Sequence, residues 1–139
     1  MSSSKKWKLP RINGEFITKN AASISEEDLE RINERAEAIG LKFRHNISLR
    51  KFVSESILLI GLIRDYVTGR YKTIPWWAIT ATAFTLLYVF NPFDLVPDMV
   101  PGFGYLDDAT VVTTCLALIS HELVKYGRWK KKHRNDPDT

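Results

Sequence analysis

Asp94, Asp98, Asp107 and Asp108 fall close together in the middle of this chain, inside a stretch rich in proline and glycine. Asp94 and Asp98 are four apart, so a helical turn would set both on one face. Asp107 and Asp108 could close the cluster. Converging carboxylates are what a hard divalent cation requires, so Mg²⁺ or Ca²⁺ is the chemistry they could support. Capping explains the same residues without an ion. Asn91 can cap and Pro92 can take a first helical position, while Asp107 or Asp108 caps the helix that follows and offsets its dipole. Pro97, Pro101, Gly102 and Gly104 then force turns between short helical pieces. Capping is preferred here, and no cofactor is predicted.

Other chemistry is sparse, and no catalytic residue is assigned. His121-Glu122 lacks a second histidine four residues away, so it is not a zinc-protease motif. The pair marks where an uncharged run meets water. His45 and His133 lie in basic, polar stretches and read as solvated. Cys115, set among Val111, Val112 and Leu116, reads as inert packing, and a single cysteine excludes an internal disulfide framework. There is no glycine-rich phosphate loop and no nucleophile elbow.

The elements that hold the loop are uncharged. From Thr73 to Val124 there is no lysine or arginine, and from Thr73 to Phe93 there is no charge at all. Trp76 and Trp77 at one end of that run and Tyr88 near the other are placed as interfacial aromatics would be. Thr80, Thr82 and Thr85 can return their hydroxyls to backbone carbonyls. The 16 residues from Trp76 to Asn91 reach roughly 24 Å as a helix, short of a hydrocarbon core of about 30 Å. The next helix, expected from about Asp108 to Tyr126, has only 12 uncharged residues, Ala109 to Ser120. These lengths fit a shallow or re-entrant hairpin, or a bundle, better than two full spans.

Basic residues flank the hairpin: Arg64, Arg70 and Lys72 before it, Lys125, Arg128, Lys130, Lys131 and Lys132 after it. This predicts attachment to the cytoplasmic membrane with both termini facing the cytoplasm. Trp76, Trp77, Tyr88, Trp129, Lys130, Lys131 and Lys132 are the expected interface residues. A net charge of +4 and a pI near 9.2 suit anionic lipid as well as nucleic acid. Because the basic tail directly follows an apolar helix, lipid headgroups are preferred and nucleic acid is disfavoured. Met1-Ser-Ser-Ser-Lys-Lys-Trp-Lys lacks the apolar core of a signal peptide, so export is not expected.

Upstream, residues 1–22 are polar and non-periodic and predict a flexible basic arm. Ser25 is a good N-cap followed by Glu26, Glu27 and Asp28, with Ile24 and Leu29 spaced as a staple. Leu29, Ile32, Ala36 and Ile39 form a narrow apolar seam that Gly40 would end. That seam could receive a protein partner, mediate self-association, or lie on the next helix, expected from Ser48 to Thr68 and stopped by Gly69. The fold class is therefore all-α. About four helices are expected, the last two an apolar hairpin joined by the Asp/Pro/Gly-rich loop. The organisation is an arm (1–22), a helical domain (23–126) and a basic tail (127–139).

From Leu86 to Asp108 the sequence closely resembles the YkvA-like family of uncharacterised bacterial proteins. Its pattern is a tyrosine-containing apolar helix, then Ser/Asn-Pro-x-Asp-Leu-Ile-Pro-Asp-x-Ile-Pro, a glycine and a closing Asp-Asp. Asn91, Pro92, Asp94, Leu95, Pro97, Asp98, Pro101, Gly104, Asp107 and Asp108 match it. Val96 and Val100 replace isoleucine, and Gly102 stands where an apolar residue is usual. The resemblance covers about residues 66–120 and implies a membrane-associated helical domain with no established reaction. The expectation is a non-catalytic structural, adaptor or scaffold role. The alternative is a divalent-metal-binding protein or metal-dependent enzyme using the loop aspartates.

Overall fold

The uncharged run around Phe84 becomes the helix on which the other elements are laid. Residues 13–91 and 108–133 are described in the computed structural model. They form seven α-helices and no strand: α1 Gly14–Ala21, α2 Glu26–Glu34, α3 Ala36–His45, α4 Val53–Val67, α5 Trp76–Phe90, α6 Asp108–Leu118 and α7 Ser120–His133. Every residue of α5 from Ala78 to Val89 is buried. Helices α1, α2, α3, α4 and α6 all pack on it. A helix that is apolar on every face offers none to water, so it is covered on all sides. The buried threonines close their own hydrogen bonds, Thr82 Oγ1 donating to the Ala78 carbonyl at 2.8 Å and Thr85 Oγ1 to that of Ala81 at 2.9 Å.

This burial by protein lends no support to a transmembrane helix. With 15 residues, α5 is roughly 22 Å long. No described helix is long and apolar enough to cross a membrane. The uncharged run serves as the centre of a bundle.

Seven helices replace the expected four because two of the anticipated helices are broken and one lies upstream. The first break is at Arg35, where φ −100° and ψ 14° interrupt the path between α2 and α3. Helix α3 then runs straight through Gly40 to His45, burying Ile39 and Phe43. Glycine costs about 1 kcal/mol in a helix interior, whereas burying a phenylalanine returns roughly 1.5–3 kcal/mol. Phe43 therefore outweighs the stop signal. The second break, at Ile119, is slight. Ile119 N–H still reaches the Cys115 carbonyl (2.9 Å), and Leu123 N–H reaches that of Ile119 (2.8 Å). Helix α7 continues to His133, so Trp129 to Lys132 are helical where the sequence suggests a tail.

Where the sequence suggests a flexible basic arm, residues 14–21 form α1. The Asn13 side chain accepts from the Phe16 N–H at 2.9 Å. Ile17 and Ala21, one turn apart, are buried, and Phe16 meets Phe84 edge-on at 5.9 Å. One apolar turn is too short to show as a period. The seam offered to a partner is also used internally: Leu29, Ile32 and Ile39 are buried in the core, and Ala36 is half-buried. Helix α4 starts at Val53, after a 3₁₀ turn over Arg50–Phe52. It ends as expected at Gly69, whose φ of 83° only glycine adopts readily.

Candidate functional site

Of the motif residues, Pro92, Asp94, Pro97, Asp98, Pro101, Gly104 and Asp107 lie outside the described residues. Its two ends, Asn91 and Asp108, are described. Asn91 ends α5 outside the helical region (φ −155°, ψ 89°), consistent with the bias that a following proline imposes, and its N–H donates to the Leu87 carbonyl at 2.7 Å. Lys42 of α3 donates its ammonium to the Phe90 carbonyl at 3.2 Å, a cation on the negative end of α5. Asp108 opens α6 and places a carboxylate on its positive end. The two helices that flank the loop are neighbours, and the Cys115 thiol points at the Ala81 carbonyl (3.7 Å). Burial pushes that thiol up to about 11, leaving a protonated core sulfur.

Tyr88, expected at an interface, is 1% exposed and packs on Phe84. Burial, and then the charge of Asp108, push its phenol up to about 12. It is a neutral core group behind the mouth of the loop. Trp76 and Trp77 are 43% and 46% exposed. Lys131 and Lys132 are exposed, while Lys130 and Trp129 are half-buried. Trp129 belongs to an aromatic stack, 5.1 Å from Tyr71, 5.9 Å from Tyr126 and 4.8 Å from His133. Among the described residues no group of three or more His, Cys, Asp or Glu side chains could hold a metal ion.

Sequence reasoning assigned no role to Asp65. This carboxylate is 4% exposed, near the C-terminal end of the most apolar part of α4. Its Oδ2 accepts from the Tyr126 hydroxyl at 2.6 Å and lies 3.6 Å from Lys130 Nζ. Its Oδ1 lies 3.3 Å from Arg70 Nε. A buried carboxylate costs several kcal/mol unless its charge is paired and its lone pairs are filled. Here two cations and a phenol, Tyr126 and Lys130 from α7 and Arg70 from the segment after α4, meet that requirement. Burial, then the Asp65 contact, drives the Tyr126 phenol far above its ordinary range, so it remains a donor. Gly61 permits the approach, because a Cβ there would stand 2.8 Å from the Tyr126 hydroxyl. The available signal is the charged pair Arg64-Asp65 in the otherwise uncharged run Ile57–Val67. The cluster fastens α7 to α4 and leaves no free nucleophile.

The class these features define is a small all-helical domain built round an uncharged central helix that leads into an acidic loop. Residues 78–114 match the family described as a protein of unknown function (DUF1232). The chain is also 28% identical, over 81 residues, to the uncharacterized membrane protein YkvA of Bacillus subtilis (strain 168), an alignment covering 58% of this chain and 76% of that protein. Together these matches support a YkvA-like family for this chain. No solved structure matches it.

Proposed function

We propose that this chain is a non-catalytic helical adaptor or scaffold that works at an anionic membrane surface, on its cytoplasmic side. The observation that carries the reading is the end of α7, where Arg128, Lys131 and Lys132 stand exposed on a helix that Asp65 and the aromatic stack hold to the bundle. Three such cations contribute about 3 kcal/mol towards an anionic bilayer, roughly a hundredfold in partitioning. Trp76 and Trp77, half exposed, are residues suited to the headgroup layer. The likeness to a membrane protein supports the same reading. Surface attachment reconciles it with helices too short to span.

Co-sedimentation of the intact chain with vesicles tests this. Binding to vesicles containing phosphatidylglycerol, absent with phosphatidylcholine alone and weakened by salt, is expected. Changing Arg128, Lys131 and Lys132 together to Gln should reduce partitioning by about a hundredfold. Equal partitioning onto neutral vesicles, or none onto either, would overturn the reading.

A further inference from the structure

A groove of about 270 Å³ lies where α3, α4 and α7 meet. Its lining carries Arg44, Arg64 and Lys130 against one acid, Glu37. Arg44 and Arg64 are exposed and form no ion pair among the described residues. Lys130 is shared with Asp65 at 3.6 Å. Arg44, Arg64 and Lys130 against Glu37 leave the lining two positive charges in excess, and an oxyanion would offset them.

The rest of the lining is apolar. Ile57, Ile60 and Arg64 are spaced at one turn along a single face of α4. Ile57 is 64% exposed, a large aliphatic side chain left to water on the wall of a cationic groove. Gly40 and Gly61, one on each facing helix, line the groove. At Gly61 the space is taken first by the Tyr126 hydroxyl and then by Lys130, whose Nζ would lie 3.2 Å from a Cβ at that position. Guanidinium and ammonium groups beside exposed aliphatic carbon suit an oxyanion attached to an apolar stem.

We propose that this groove binds the headgroup of an anionic amphiphile, a phosphodiester or carboxylate on an alkyl stem. Arg64 and Lys130 take the oxyanion, Arg44 adds to the field, and Ile57 with Ile60 covers the first methylenes. This deepens the membrane-surface reading by giving the chain a headgroup site apart from the exposed cations at the end of α7.

Titration calorimetry on the intact chain tests it with dihexanoyl phosphatidylglycerol kept below its micellar concentration. Dihexanoyl phosphatidylcholine and inorganic phosphate are the comparison titrants. Saturable binding of the phosphatidylglycerol, at least tenfold tighter than either comparison, is expected. Arg64→Gln, and separately Arg44→Gln on the facing helix, should each weaken it severalfold with the thermal unfolding midpoint unchanged. Lys131→Gln with Lys132→Gln should leave this binding intact while reducing vesicle partitioning, so failure of the groove and failure of surface attachment are read separately. Equal binding of phosphatidylcholine would overturn the anionic preference. Inorganic phosphate binding as tightly would replace the amphiphile with a free oxyanion. No saturable binding, or binding unmoved by both arginine variants, would remove the site.

Discussion

Asp65 is the residue whose role is clearest from its surroundings and least visible in the chain. Tyr126 is 61 positions away, and only the fold brings the two together. Replacing Tyr126 with Phe removes a hydrogen bond to a charged acceptor and should cost about 1.5–3 kcal/mol. Replacing Asp65 with Ala strands a buried hydroxyl and leaves Arg70 and Lys130 without their carboxylate, at about 3–5 kcal/mol. Denaturant unfolding of both variants and of the double variant provides the test. The double variant should lose clearly less than the sum of the singles, and simple additivity would show that the pair does not act together. At the loop mouth, Asn91 follows the last residue of α5 and Asp108 is the first residue of α6, while the helix that Asn91 would cap lies outside the described residues. Tyr88 does not keep its suggested place, because a tyrosine near the end of an uncharged run looks the same in sequence whether it faces lipid or protein.

At the scale of the helices, the glycines separate what propensity says from what packing decides. A Cβ on Gly40 would meet nothing within 4 Å, whereas one on Gly61 would collide with the Tyr126 hydroxyl. Gly40→Ala should therefore stabilise the chain by about 0.5–1 kcal/mol through helix propensity alone. Gly61→Ala should destabilise it by about 1–3 kcal/mol through forced repacking. Thermal unfolding of the two variants decides the matter, and shifts in the same direction would contradict this account of the α4–α7 contact. The same contrast explains the helix count. Gly40 is a stop signal only by local propensity, while Phe43 beyond it is buried in the core. Gly69 did act as a stop, since there the backbone adopts a positive φ.

At the scale of the whole molecule, core tyrosines give the fold a specific alkaline limit. Tyr88 and Tyr126 both titrate higher in the folded chain than in the unfolded one. The stability linked to them is complete below about pH 10 and is lost as pH rises, at about 1.4 kcal/mol per unit for each group. For Tyr88 the loss runs from about 10 to about 12. Unfolding followed by circular dichroism should stay level up to pH 10 with respect to these groups and then fall. Tyr126→Phe should fall less steeply, and an identical slope would contradict the burial argument. By itself, the sequence determined that the chain is all-α, that an uncharged segment runs from Thr73 into an Asp- and Pro-rich loop, and that Ser25 and Gly69 mark helix ends. These are local properties of spacing, charge and capping. Only the tertiary structure decided that the uncharged helix is wrapped by α1, α2, α3, α4 and α6, that the seam of Leu29, Ile32 and Ile39 serves the core, and that Asp65 meets Tyr126. An apolar surface can be buried by lipid or by protein at similar free energy, and what covers it depends on residues distant in the chain.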